Sequence, residues 1–258
     1  MIKSRIKVLI ARVITANWFG RLVRLIFRDR INFSGVPVAS CSAWVSPKVS
    51  AQLFWGIYES AERRFVQSSI DASLPVVELG SSIGGVSSHI ARKLMPGQRL
   101  VCVEANPHLL PLLKKNLKIN AGHLEVGVMH AAISTQPGTI SFAVSESSLS
   151  SQIGSRDDIK EMITAPSRTL SDVISEQGLE AQSFQLVMDI EGAEAGIVLE
   201  DSDALKGCCR IVPELHDTVH QGNAFKVDQL VEAIVGLGFR VCERYGAVVV
   251  FDRKEAAL

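Results

Sequence analysis

Three segments of the sequence place acids beside residues that turn a chain sharply. VVELGSSIGG (76–85) carries Glu78 in an apolar run and then Gly80, Gly84 and Gly85; LVCVEAN (100–106) holds Glu104; FQLVMDIEGAE (184–194) ends in Asp189, Glu191, Gly192 and Glu194. Glycines after an apolar run let backbone approach a ligand closely, and a helix starting there presents unpaired N–H groups. The first loop lacks the GxGxxG spacing that seats a pyrophosphate at a helix N-terminus. An acid just before it repels phosphate and accepts an ammonium group. The ligand this describes is a cationic, phosphate-free nucleoside.

S-adenosylmethionine fits that description. Its amine can meet Glu78, its carboxylate the loop N–H groups, and its ribose hydroxyls Glu104 at the end of the next strand. An acid ending the second strand serves NAD equally, so Glu104 alone does not discriminate.

MDIEGAE gathers carboxylates near one turn, and like charges so placed raise a carboxyl pKa or invite a cation. Asp189 ends its strand, Gly192 permits a sharp turn, and Glu194 reads as first-turn compensation of the helix dipole. Asp189 and Glu191 are therefore the catalytic candidates. His216, ending RIVPELH (210–216), is a third, as a general base near neutral pH. Glu214 shares its side of the strand by the two-residue period. Asp189, Glu214 and His216 are also a donor set for a divalent ion, but their spacing does not assign a metal.

Positioning these groups requires alternating strands and helices. Strands are expected at 76–80, 100–106, 124–134, 184–192 and 210–216, and helices over 83–94, 108–120, 193–205 and 224–237, with a short helix around Tyr58 to Val66. The alternation implies a parallel sheet wrapped on both faces, with ligands at the strands' carboxyl ends. FRVCERYG and AVVVFDR form a closing hairpin around Tyr245-Gly246 and must be antiparallel. SESSLSSQIGS (145–155) reads as a loop over one rim.

Residues 1–50 stand apart as a basic amphipathic helical segment with a connector (31–50), leaving 51–258 as the catalytic domain. Residues 1–30 hold eight basic residues against Asp29 alone. Because the whole chain balances 27 basic against 27 acidic residues, the remainder is net acidic. That argues against a nucleic-acid partner, which wants a basic stripe on the fold. Ile2, Ile6, Leu9, Ile10 and Val13 share one helical face, and Trp18, Phe19, Leu22, Val23 and Ile26 another. No uncharged run reaches the ~20 residues that span a bilayer, and arginines interrupt any signal-peptide pattern. Two readings stand for this segment: peripheral contact with the inner face of a membrane, or packing on protein. Hydrophobic residues at 47% suffice for a full core. Five cysteines without CxxC spacing indicate a reducing, cytoplasmic setting. The sequence is silent on oligomeric state.

The motifs resemble those of the FkbM-type methyltransferases, a branch of the class I S-adenosylmethionine-dependent enzymes. ELGSSIG (78–84) matches the family's DVGANIG, VEANP (103–107) its VEPNP, and VMDIEGAE (187–194) its KIDVEGAE. The resemblance runs from about 54 to 253. It implies a Rossmann-like α/β fold with a seven-stranded, mainly parallel sheet and an antiparallel last strand, and S-adenosylmethionine as cofactor. Cofactor contacts fall on Glu78, Gly80, Ser81, Gly84, Glu104 and Asn106, with Ala132 near the adenine. The implied reaction is O-methylation of a hydroxyl on a small molecule or a glycan, such as a cell-surface polysaccharide sugar. A nucleotide-binding oxidoreductase and a non-catalytic, membrane-attached binding module are the alternatives.

Overall fold

The computed structural model describes residues 14–136, 138–145 and 159–254. The expected apolar face from Ile2 to Val13, and 146–155 of the expected rim loop, lie outside them. The chain opens with helix α1 (Asn17–Phe27), a hairpin of β1 (Ile31–Phe33) and β2 (Val36–Val38), and helices α2 (Pro47–Phe54) and α3 (Ser60–Ser69). Next come β3 (Val76–Leu79), α4 (Gly85–Lys93), β4 (Arg99–Glu104), α5 (Leu110–Asn120) and β5 (Glu125–His130). They are followed by β6 (Ala132–Ile133), β7 (Thr139–Ser145), β8 (Ile159–Arg168), α6 (Leu170–Glu176), β9 (Phe184–Met188), α7 (Glu194–Glu200) and β10 (Cys208–Pro213). The chain closes with β11 (Thr218–His220), β12 (Asn223–Phe225), α8 (Val227–Gly236), β13 (Phe239–Tyr245) and β14 (Val248–Arg253).

Seven strands form one sheet in the order β13-β14-β10-β9-β3-β4-β5. The five from β10 to β5 are mutually parallel, and the last strand, β14, runs antiparallel to both its neighbours. Strands β3 and β9 are buried at every position, which is why they read as continuous apolar runs instead of alternating ones. β3 has β4 on one side and β9 on the other, so the strand order reverses there and opens a crevice at the carboxyl edge.

One face of the sheet carries α6, α7 and α8 over a core that includes fully buried Phe184, Phe239 and Phe251. Burying each such ring is worth roughly 1.5–3 kcal/mol. The other face carries α3, α4 and α5. A third cluster ties the N-terminal elements to the body, joining Val23, Phe33, Val49 and Tyr58 to Ile83 and Leu109. Helix α2 runs across the boundary expected between residues 50 and 51. Its start is a local signal inside a serine-rich stretch: Ser46 is the N-cap, Pro47 follows at the first helical position, and the Ser46 side chain accepts from Lys48 N. α1 crosses α2 at Gly20, where an added Cβ would fall 1.7 Å from the Pro47 carbonyl oxygen.

Three expected boundaries move. The strand expected over 124–134 breaks at Ala131, whose N–H donates to Glu104 O as β4 ends, and β6 then pairs with β8 instead. The helix expected to 205 gives way after Glu200 to a tighter turn over Ser202–Gly207. The last helix starts at Val227, because Asn223–Phe225 pair back on Thr218–His220.

Candidate active site

The loops after β3, β4 and β9 meet over the crevice. Gly80 N and Ser81 N both donate to Val103 O, at 2.9 and 3.0 Å, and Asp189 N donates to Leu79 O at 3.0 Å. Gly80 has φ +82°, and a Cβ there would sit 1.9 Å from Asp189 O. Only glycine satisfies both the backbone conformation and the contact. Gly84, also left-handed, caps the start of α4.

Glu104 is buried and ties two loops together. Its Oε2 accepts from Ser82 N and its Oε1 from Asn106 N, both at 2.7 Å. Each carboxylate oxygen keeps a second lone pair for a ligand. Ser82 holds φ +49°, in the region asparagine tolerates better than serine.

Glu78 faces elsewhere. Its partners in register are Cys102 and Val187, which belong to the core under α3, α4 and α5, so its side chain points beneath the first turn of α4. There it accepts from Ser87 Oγ, with Cys102 Sγ 3.5 Å away. At 3% exposure, burial raises its carboxyl to about 7. It is not among the residues lining the crevice, and neither are Ser81, Gly84 or Asn106, which shape the loops.

The crevice is a cavity of about 600 Å³, within the roughly 300–1,000 Å³ of small-molecule sites. Gly80, Glu104 and Ala132 line it with Ile133 and Phe142; Asp189 and Glu191 line it with Tyr58, Glu59 and Lys48. This wall fits the sulfonium nucleoside expected from the sequence: a carboxylate with spare lone pairs, a glycine-bearing loop, and an apolar shelf for a purine.

The other wall is a cluster of acids around one imidazole. His216 Nδ1 is 3.1 Å from Glu194 Oε1, while Nε2 is 3.5 Å from Glu191 Oε2 and 3.9 Å from Asp189 Oδ1. The bond to Glu194 is the chief reason the His216 pKa rises to about 9. His216 therefore carries its proton at neutral pH, and the geometry does not support it as the base expected near pH 7. Asp189 differs: burial, then the negative charges of Glu214 and Glu191, raise it to about 7. Glu62 on α3 is raised to about 8 by burial and by its contact with Glu214.

Turn geometry builds this cluster. Glu191 and Gly192 are consecutive left-handed residues, and Thr218 Oγ1 donates to Gly192 O at 3.1 Å. The reversal folds Glu194 back under His216. Sequence reasoning placed Glu194 at the helix start, where it is, but missed that its side chain is fully buried against an imidazole. Tyr58, Glu59 and Glu62 were also missed. They arrive from a segment far from the motifs, and the only local signal was an amphipathic stretch rich in acids.

The Methyltransferase FkbM domain matches residues 78–241. No curated protein matches the chain. Similar solved structures include the ribosomal protein L11 methylase of Lactobacillus delbrueckii subsp. bulgaricus, with 8% identity, covering 78% of this chain and 80% of that one, TM-score 0.45. Precorrin-6y C5,15-methyltransferase of Geobacter metallireducens has 16% identity, 77% and 89% coverage and TM-score 0.42. Aeropyrum pernix fibrillarin with natively bound S-adenosyl-L-methionine has 10% identity, 75% and 73% coverage and TM-score 0.43. With more than half of its length matched, this chain belongs to the FkbM methyltransferase domain family and is an S-adenosylmethionine-dependent methyltransferase.

Proposed function

We propose that the chain methylates a hydroxyl of a small molecule or saccharide, with cell-surface polysaccharide sugars as the first acceptor class. The observation that carries this reading is Asp189. Its carboxylate lines the cavity, its Oδ1 is buried without a hydrogen-bond partner among the described residues, and its pKa is raised to about 7. A carboxylate so placed can orient a hydroxyl and take its proton near neutral pH.

When bound, S-adenosylmethionine supplies a methyl group on a positively charged sulfur, which becomes a neutral thioether on transfer. The chain's part is positioning. Glu104 and the Gly80–Gly84 loop shape the nucleoside end, with Ala132 on the shelf. Glu78 holds the start of α4 through Ser87 instead of meeting a ligand directly. Asp189 and Glu191 face the acceptor, and protonated His216 holds both acids in place. Ser46, Lys48 and Gln52 add hydrogen-bonding groups to the same cavity, a lining suited to a hydroxyl-rich acceptor. The net acidic body speaks against a nucleic-acid acceptor.

The N-terminal helix favours a peripheral membrane position. α1 exposes Trp18, Leu22, Leu25 and Ile26, at 59, 42, 77 and 61%, with Arg21 in its middle and Arg28 just past its end also exposed. Apolar side chains flanked by arginines suit an anionic bilayer surface. Among the described residues, no helix is long and apolar enough to cross a membrane.

The test is transfer of labelled methyl to saccharide hydroxyls by wild type and Asp189→Asn. Transfer should fall at least about 100-fold in the variant, with S-adenosylhomocysteine binding retained. Wild-type turnover in Asp189→Asn would remove it from the mechanism.

A further inference from the structure

We propose that Asp189, Glu214 and His216 form a divalent-cation site, taking Mn²⁺ or Mg²⁺, at the acceptor end of the cavity. Each offers one ligand atom, and these atoms lie within 4.8 Å of one another. Two ligands each about 2.2 Å from one ion stand at most about 4.4 Å apart, so closing on an ion needs only small side-chain movements. The backbone holds the three in place: Glu214 N donates to Met188 O at 2.8 Å, fixing the end of β10 against the end of β9, from which Asp189 follows.

His216 is oriented as a metal-binding histidine is. Its Nδ1 is held by Glu194, so the nitrogen facing the carboxylates is Nε2. A carboxylate behind the far ring nitrogen fixes ring orientation and strengthens the ligand. Asp189 supplies a second pointer. Its Oδ1, an oxygen of one of the three ligands, is buried and finds no hydrogen-bond partner among the described residues. Buried carboxylate oxygens without partners are costly. Among the described residues, the ion pairs that Asp189 and Glu194 make run to His216, and Glu62 packs on Glu214. A divalent ion would replace the Nε2 proton of His216, which is released to solvent, and add positive charge to the cluster.

The donor set selects the metal class. Carboxylates with one imidazole and no thiolate suit Mg²⁺ and Mn²⁺, and the nitrogen favours Mn²⁺. Asp189 lines the cavity while Glu214 and His216 do not, so open coordination positions face the acceptor. The ion's role rests on the hydroxyl-transfer reading above: it would hold the acceptor oxygen and make it more acidic. Asp189 would then act as ligand, and the proton would pass to Glu191, the adjoining carboxylate of the cavity wall.

The site is tested on the full chain after chelation, by titrating Mn²⁺ alone and following free Mn²⁺ by electron paramagnetic resonance, with Mg²⁺ as competitor. One Mn²⁺ per chain is expected. Glu214→Gln and His216→Asn should each weaken it more than about tenfold, and Glu194→Gln, which acts through His216, by about ten- to a hundredfold. Retained S-adenosylhomocysteine binding shows that each variant is folded. Absence of Mn²⁺ binding by wild type, or undiminished binding by both ligand variants, overturns the site. If Mn²⁺ binds as expected but no hydroxyl acceptor is methylated, the site stands and the acceptor reading fails. If transfer survives chelation and Mn²⁺ does not bind, the reverse holds.

Discussion

His216 and Glu194 form a buried pair: Nδ1 and Oε1 are 3.1 Å apart, and the glutamate side chain has no exposed surface. The pair decides what His216 can do. In cation-free protein, Glu194→Gln removes the charge but keeps an acceptor. The His216 pKa, now about 9, should fall by roughly one to two units, read from the ring protons in an NMR titration. An unchanged value would mean that Asp189 and Glu191 alone hold the proton there.

Two glycines with nearly the same backbone separate conformation from contact. Gly80 and Gly97 have φ +82° and +84°, but an added Cβ meets Asp189 O at 1.9 Å in the first and nothing within 4 Å in the second. Gly97→Ala should cost about 1 kcal/mol. Gly80→Ala adds overpacking of about 1–3 kcal/mol and should also lose cofactor affinity. Denaturant unfolding with S-adenosylhomocysteine calorimetry measures both, and equal costs would mean the loop yields freely.

Glu78 makes stability depend on pH. Its carboxyl is raised from 4.5 to about 7 in the fold, chiefly by burial. The folded state thus holds a proton that the unfolded chain releases, so the stability it contributes is full below pH 4.5 and is lost as pH rises through 7. Glu78→Gln should match wild type near pH 4.5 and gain on it by pH 8, by on the order of 3 kcal/mol. His89 works in the opposite sense: burial lowers it to about 4, so its contribution is present above 6.5 and fades as pH falls through 4. Melting temperatures across pH 4–9 for wild type, Glu78→Gln and His89→Gln separate the two limbs.

Leu25 and Ile26, 77 and 61% exposed, touch little of the body. Replacing both with glutamate should leave the melting temperature within a few degrees of wild type and abolish flotation with anionic vesicles. Flotation that survives the double change would assign the helix to another partner.

The sheet was legible because fully covered strands announce themselves: VVEL and FQLVM are apolar but for one buried polar residue each, Glu78 and Gln185, and glycines and acids mark their ends. The acidic wall was half legible. Strand-end position pointed to Asp189 and His216 and the turn that follows to Glu191, and the structure places the three side by side. Burial within the fold decided the rest. Nothing local in VVEL tells that Glu78 turns under α4, because that depends on register with Cys102 and Val187. Glu62 meets Glu214 where α3 packs on the end of β10, a pairing between residues too distant in the chain for any sequence window to contain. SPKVS (46–50) read as the end of a connector from its composition, although the Ser-Pro pair marks a helix start whose residues reach the cavity.

The crossing at Gly20 has a mechanical consequence. α1 rests on the backbone of α2 with no side chain between them, and Ser46 and Lys48, at the start of α2, line the cavity. A displacement of α1 therefore passes to the backbone of α2 with no side chain to absorb it, and α2 carries it to the lining of the cavity.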